Sequence, residues 1–380
     1  GGLYNMNKIK NIDISIGKST YPLYFIDSVL SMKYYINFNE YDNVFVVFDA
    51  NLKTYKVEMD ALRKLSHKIV TCEIVISEKT KNIKSYNNII NCLIKNDISR
   101  KSCIIAIGGG VLGNVVGFVA STIFRGVDLY HIPTTLISAA DSVVSLKQAI
   151  NSDFGKNMIG TYFAPKKVFV ILSFFKKLPC RELKSGIVEF IKNILAIMPD
   201  EIPVYLENVN SKDIYSYEFI SYIIEKSVVA KNLVLKNDEH EKKEGLILEY
   251  GHTIGHSIEF LSDGNIIHGE GVAFGMLVAA EISNGLGFLC EEDLEMHYLL
   301  LLDFINPDIC SFTIANIDSI VNQLKHDNKK TILNDNVYSF VLLNTLGEIH
   351  KESETNMTYI DKDRIIMSMK KVILKLGELI

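Results

Sequence analysis

Hydrophobic and polar positions follow two different periods along the chain, and the change falls near Pro179. Before it, short apolar runs rich in β-branched residues alternate with helical patterns, the arrangement of a parallel α/β sheet. Residues 43–49, 69–76, 103–107, 129–132 and 168–172 are the predicted strands. Between the first two, Val57, Met59, Leu62 and Leu65 recur at helical spacing and predict a helix over residues 53–67. Beyond Pro179, apolar positions return with a period near 3.6 over residues 181–198, 217–236, 246–261 and 270–286. Turn residues such as Asp200, Pro203, Asp263 and Gly264 separate these helices. The expected architecture is α/β: a Rossmann-like parallel-sheet domain over residues 1–179, then a mainly α-helical domain over 180–380. The cleft between two such domains is the default ligand site. At the end of the chain, Leu374, Leu376 and Leu379 are expected to pack a terminal segment for stability.

Composition narrows the classes. A chain of 380 residues suits two cores rather than one, and 48% hydrophobic against 22% charged content is that of a folded protein. A formal charge of −5 lacks the clustered basic face of a nucleic-acid binder. No apolar run reaches the ~18 residues of a membrane span, and the first residues show no secretory pattern. Six scattered cysteines without a CxxC pair fit a reduced protein. The expectation is a cytoplasmic protein with neither a nucleic-acid nor a membrane partner.

The strand over 103–107 runs directly into Gly108-Gly109-Gly110-Val111-Leu112-Gly113-Asn114, which opens a helical stretch. Glycines there let a backbone approach a diphosphate, and the helix N-terminus adds positive potential. The alternative is a plain tight turn; the strand before and helix after favour a dinucleotide. Asp49, ending a strand about sixty residues earlier, suits a ribose hydroxyl pair, disfavours a 2′-phosphate and points to NAD.

Charged and amide residues follow: Arg125, then Asp141, Lys147, Asn151, Lys156 and Asn157. This mixture suits a phosphorylated, polyhydroxylated substrate. Glu189 and Lys192 sit three apart on a helix whose apolar face includes Ile187, Val188 and Ile191. On a surface such a pair means little; as a metal carboxylate beside a phosphate-binding lysine it means much. Three of the nine histidines, His252, His256 and His268, lie within twenty residues, and the first two share a helix face. Histidine clustered with carboxylate is the usual make-up of a divalent metal site.

These segments together resemble the sugar-phosphate cyclases, the 3-dehydroquinate synthase-like family. The blocks are GGGVLGN (108–114), FRG (124–126), PTT (133–135), DSVVSLKQAIN (141–151), GKNMIG (155–160), SGIVEFIKN (185–193), EYGHTIGHSIE (249–259), HGEGVAFGM (268–276) and HDNKK (326–330). They occur in the family's order and near its spacing. Within the family, the SLKQAIN, VEFIKN, EYGH and HDNK variants are those of the inosose-forming branch, which cyclises glucose 6-phosphate in aminoglycoside biosynthesis. Dehydroquinate synthases carry an arginine seven residues before the first histidine, where this chain has Gly245, and an asparagine at Glu249. Losing that arginine and gaining a carboxylate disfavours a substrate anion and welcomes a neutral sugar hydroxyl.

The resemblance implies metal ligands at Glu189, His252 and His268, with His256 moved to the substrate. It places Lys147, Glu249, Asp141 and His256 in catalysis, and Arg125, Asn157, Lys192, Lys231 and Lys329 on the substrate. Arg125 would reach the neighbouring subunit's site in the family's homodimer. For NAD it implies Asp49, Glu78, Lys81, Gly109, Gly110, Asn114, Thr134, Thr135 and Lys156, and for the metal one Co2+ or Zn2+. The implied chemistry is redox-neutral: transient oxidation at C4, loss of phosphate by β-elimination, re-reduction, and intramolecular aldol closure. Dehydroquinate or valiolone-type cyclases and metal-dependent polyol dehydrogenases are the rival readings.

Overall fold

Apolar strand runs and the helices between them assemble residues of the first half into one seven-stranded sheet. In the computed structural model, residues 11–66, 68–326, 336–352 and 356–379 are described. The chain divides into two units, Gly1–Leu183 and Lys184–Ile380. Lys329 and most of the HDNKK block lie outside the described residues.

The first unit opens with a hairpin, β1 (Asn11–Ile16) and β2 (Ser19–Phe25), that the patterning above leaves out. Its two-residue turn has Gly17 at φ +55°, the left-handed geometry that matches strand twist. Then come β3 (Val44–Asp49), α1 (Lys56–Leu62), β4 (Ile69–Ile74), α2 (Ile83–Lys95), β5 (Cys103–Gly108), α3 (Gly110–Thr122) and β6 (Asp128–Pro133). A separate hairpin, β7 (Lys147–Ser152) with β8 (Gly155–Tyr162), precedes β9 (Lys167–Val170). The sheet order is β1-β2-β9-β6-β5-β3-β4, parallel from β2 onward. The central strands are buried throughout, which is why they read as continuous Val/Ile runs rather than alternating ones. The helix expected over 53–67 is only α1, because Asp49 caps a tight turn at residues 50–54 that uses up the first residues.

Most of the second unit is helical: α4 (Cys180–Ala196, starting just before it), α5 (Ile202–Ser211), α6 (Tyr217–Leu235), α7 (His252–Leu261), α8 (His268–Gly285), α9 (Glu291–Leu301), α10 (Asp308–Gln323) and α11 (Lys362–Leu379). Short strands β10 (Val337–Phe340) and β13 (Thr358–Asp361) pair, as do β11 (Leu343–Thr345) and β12 (Glu348–Ile349). Helix α8 is the core element; every residue from 271 to 283 is buried, as its lack of a polar face requires.

Two expectations are corrected. Residues 246–261 do not form one helix: a 3-10 turn ends at Glu249, Gly251 adopts φ +79°, and α7 starts at His252. At the end of the chain only Leu376 of the three leucines is buried; it stacks with Ile365, Met369 and Val372 along one face of α11. Leu374 falls on the opposite face and is exposed; Leu379 continues the buried stripe but is exposed at the last turn of the helix. Among the described residues no single helix is long and apolar enough to cross a membrane.

Candidate active site

Strand order explains the displaced acidic residue of the glycine-loop unit. From β3 the chain goes to β4 on one side, then returns to place β5 on the other, so connections diverge between β3 and β5. Crevices at the carboxyl ends of strands form where an α/β sheet switches direction in this way, and ligands bind there. Phe48 is in register with Ile107, and Gly108 with Pro133, so Asp49, the glycine loop and Thr134 line up at that edge. The Thr134 N–H donates to the Gly108 carbonyl at 3.0 Å. Gly109 caps α3, a 13-residue helix, and presents bare backbone N–H groups of its first turn to the crevice. Burial raises the Asp49 carboxyl above its usual range despite a bond from Asn51 N–H, so hydroxyl donors would relieve it. A dinucleotide's diphosphate and ribose fit these groups.

The β7–β8 hairpin brings a second group of expected residues together. Asn151 Nδ2 donates to Glu78 Oε1 at 2.8 Å, and its Oδ1 accepts from the Asn157 N–H at 2.8 Å. Lys81, buried, donates to Asn157 Oδ1 at 2.5 Å, and Lys156 Nζ lies 3.8 Å from Glu78 Oε1. Glu78, Lys81, Lys156 and Asn157 therefore form one network with Asn151 at its centre. Asp141 and Lys147 are half-buried at the entry to the hairpin, and Arg125 is exposed at φ +67°.

In the second unit, glycines set the spacing of the metal-type residues. Helices α7 and α8 cross at backbone contact. A Cβ on Gly255 would lie 2.9 Å from the Gly271 carbonyl carbon, and one on Gly275 would overlap the Gly251 carbonyl oxygen. The Gly269 N–H donates to Ser185 Oγ at 2.9 Å, which ties α8 to α4. This packing brings Glu189 of α4, His252 of α7 and His268 of α8 to one point. Glu189 Oε1 lies 3.4 Å from His252 Nε2 and 3.1 Å from His268 Nε2. Its other oxygen accepts from Lys192 at 2.5 Å, and both side chains are 2% exposed or less.

The electrostatics favour a cation. Burial pushes the Glu189 carboxyl up, but Lys192 and His252 outweigh it and hold it well below the usual range. Burial and then Lys192 push His252 down, leaving a neutral ring with a lone pair. For His268 burial also lowers, yet bonds to Glu189 and Glu259 raise it to about 10. The hold on that proton reflects how strongly two carboxylates favour positive charge between them. Two imidazoles and a carboxylate, with ligand atoms within 4.8 Å of one another, fit a divalent metal.

His256 stands beside this set, its ring centroid 5.0 Å from that of His252 and 5.7 Å from that of His268. Glu249 is half-buried just before Gly251, and Lys231 is buried on α6. Sequence reasoning passed over Glu259, whose Oε2 lies 3.2 Å from His268 Nδ1. Its position seven after His252 and three after His256 puts all three on one face of α7, which is the signal that was available.

Two family models match the chain, the 3-dehydroquinate synthase N-terminal domain over residues 71–185 and the C-terminal domain over 186–330. The 2-deoxy-scyllo-inosose synthase of Niallia circulans is 35% identical over 340 residues, 88% of this chain and 92% of that protein. That of Micromonospora echinospora is 39% identical over 273 residues, 71% of this chain and 68% of the relative. A crystal structure of 2-deoxy-scyllo-inosose synthase complexed with carbaglucose-6-phosphate, NAD+ and Co2+ superposes with a TM-score of 0.84 at 32% identity. The match covers 95% of this chain and 99% of that one.

Proposed function

The chain belongs to the 3-dehydroquinate synthase family of sugar-phosphate cyclases, and from that membership we propose that it converts glucose 6-phosphate into 2-deoxy-scyllo-inosose with release of phosphate. It uses NAD and one divalent metal, Co2+ or Zn2+.

The observation that carries the substrate assignment is Gly245. The Asp238 carboxylate accepts from the backbone N–H of Lys242 at 3.0 Å, Lys243 at 2.7 Å and Gly245 at 2.9 Å. A Cβ on Gly245 would already meet Asp238 Oδ2 at 3.0 Å. Burial raises the Asp238 carboxyl, but these bonds outweigh it and keep it ionised at neutral pH. The position where keto-acid cyclases carry an arginine thus holds backbone and a fixed anion, which suits a substrate without a carboxylate.

When bound, NAD supplies a reversible hydride acceptor and the metal supplies Lewis acidity at the sugar hydroxyls. Glu189, His252 and His268 hold the metal; Asp49, Glu78, Lys81, Gly109, Gly110, Asn114, Thr134, Thr135 and Lys156 hold NAD. Lys147, Lys192, Lys231 and Asn157 neutralise and orient the phosphate as it departs, with Lys329 as a further cation. Asp141, Glu249 and His256 act at the sugar hydroxyls, positioning them and moving protons. Positioning and charge stabilisation suffice because no covalent enzyme intermediate is needed.

The test is inorganic phosphate release with catalytic NAD and added Co2+ or Zn2+. Phosphate from glucose 6-phosphate without net NADH is expected. Release only from the seven-carbon keto-acid phosphate of dehydroquinate synthase would move the protein to that reaction. Stoichiometric NADH without phosphate would make it a polyol dehydrogenase.

A homodimer is part of this reading. Hairpin β7–β8 is a sheet of two strands with exposed Phe154, Met158, Ile159 and Tyr162, and a bare apolar strand edge invites a second copy. Arg125, exposed next to Phe124, would then serve the neighbour's site. Ile159→Asp is expected to give a monomer by light scattering and to lose turnover; an unchanged dimer would place the interface elsewhere. A cytoplasmic location fits six cysteines that are all free.

A further inference from the structure

Each ligand-type imidazole has two ring nitrogens, and both rings are used in the same sense. His252 Nε2 and His268 Nε2 converge on the one oxygen Glu189 Oε1. Behind them, His252 Nδ1 lies 3.2 Å from the Tyr250 carbonyl oxygen, and His268 Nδ1 lies 3.2 Å from Glu259 Oε2. A carbonyl and an ionised carboxylate only accept, so both Nδ1 atoms carry protons. With Nδ1 kept protonated by these acceptors, Nε2, the nitrogen turned to Glu189, is the one that gives up its proton to a metal.

We propose that Glu259 is the positioning residue of the metal centre: it holds His268 in the Nδ1–H tautomer, orients its ring toward Glu189, and makes Nε2 a stronger donor. The proposal rests on the assignment of Glu189, His252 and His268 as ligands.

The two supports differ in kind. The Tyr250 carbonyl is fixed by backbone, and the Tyr250 side chain is anchored through its hydroxyl to His297 Nε2 at 2.9 Å. His297 Nδ1 in turn lies 2.7 Å from the Asp293 carbonyl, so the tyrosine hydroxyl is the donor to Nε2. His252 therefore has a rigid but neutral support. Glu259 brings a full negative charge. One oxygen of Glu189 is committed to Lys192, which offsets that ligand's charge, and Glu259 restores the balance. Placement also matters: Glu259 sits on α7, whereas His268 is the first residue of α8, so the bond fixes the start of one helix to the face of the other. Outer carboxylates of this type orient histidine ligands and raise their basicity.

A competing arrangement uses the same atoms. His256, Glu259 and His268 also lie close enough to hold a cation of their own. Glu259 would then be a ligand rather than an orienting group, and the two arrangements differ in how many ions a chain takes up.

The full-length apo protein is titrated with Co2+ in competition with a chromophoric chelator, and the visible d–d spectrum is recorded. The chain is expected to take one ion. Glu259→Ala should raise the Kd by roughly 10- to 100-fold and change the cobalt bands, and the apo melting temperature, recorded beside it, reads the separate loss of the α7–α8 tie. Glu259→Gln, which keeps an acceptor and loses the charge, should fall between, and it carries the test alone if the alanine variant does not fold. With substrate, kcat should fall more than KM rises. A Kd for both variants within twofold of wild type, while His268→Ala loses the metal, overturns the role of Glu259 and leaves the ligand set intact. A His268→Ala protein that binds like wild type overturns the ligand set itself. Two ions per chain makes Glu259 a ligand of the second and also overturns the proposal.

Discussion

Glu189→Gln is expected to abolish metal retention and to lower turnover by roughly a thousandfold. Lewis-acid stabilisation of developing charge is worth several kcal/mol, and each 1.4 kcal/mol is about a factor of ten in rate. The substitution keeps the shape of the side chain and removes the anion on which both histidines converge. It also strands Lys192, whose ammonium is 2% exposed and bonded to Glu189. An uncompensated buried charge costs about 3–5 kcal/mol, so the apo protein should melt well below wild type. Adding Lys192→Met removes the stranded charge and should recover most of that stability while turnover stays lost. Calorimetry of the single and double variants, with metal content by mass spectrometry, separates the two effects. A Glu189→Gln protein that retains metal at wild-type occupancy would remove Glu189 from the ligand set.

The second large effect is expected at a residue that touches neither metal nor substrate. Gly275→Ala puts a methyl group onto the Gly251 carbonyl oxygen, where backbone rather than a flexible side chain stands in the way. Gly251 cannot yield easily, because it turns the chain at φ +79° and itself faces Met276 and the Val272 carbonyl. Overpacking of this kind costs about 1–3 kcal/mol, and more where backbone must shift. At 3 kcal/mol the melting temperature of a unit this size should fall by roughly 6–12 °C. Helices α7 and α8 would separate, carrying His252 away from His268. A displacement near 1 Å at reacting groups costs roughly a hundredfold in rate. Gly285→Ala is the internal control: it lies at the end of the same helix with open space around its Cβ and should be neutral or slightly stabilising. Equal behaviour of the two variants would show that α7 and α8 do not need backbone contact.

Much of this was readable without coordinates. The strand runs at 44–49, 69–74 and 103–108 are legible because buried parallel strands leave continuous β-branched stretches. The glycine loop was legible because strand, loop and helix are consecutive. Spacing alone put His252 and His256 on one helix face, and the motif blocks identified the family and, through it, implied Glu189, His252 and His268, which the structure brings together. The break at Gly251 was missed because residues 246–261 keep an apolar period of 3.6 across it; only the contact with α8 requires φ to become positive there. Hairpin β7–β8 was not predicted because neither Lys147–Ser152 nor Gly155–Tyr162 alternates apolar with polar residues; only the structure shows Asn151 tying Glu78 to Asn157.

What the sequence by itself determined is therefore local: periodicity, turn chemistry, and the residue types placed at each motif position. These follow from hydrogen bonding and sterics between neighbours a few residues apart. Tertiary structure alone decided that β3 lies beside β5, so that Asp49 faces a glycine loop sixty residues later. It alone decided that two helices meet at their glycines, that one oxygen from α4 and two nitrogens from α7 and α8 share one point, and that Glu259 stands behind His268. The reason is physical: convergence of distant side chains depends on how elements pack, and packing depends on shape and burial summed over many contacts, which no local stretch of sequence contains.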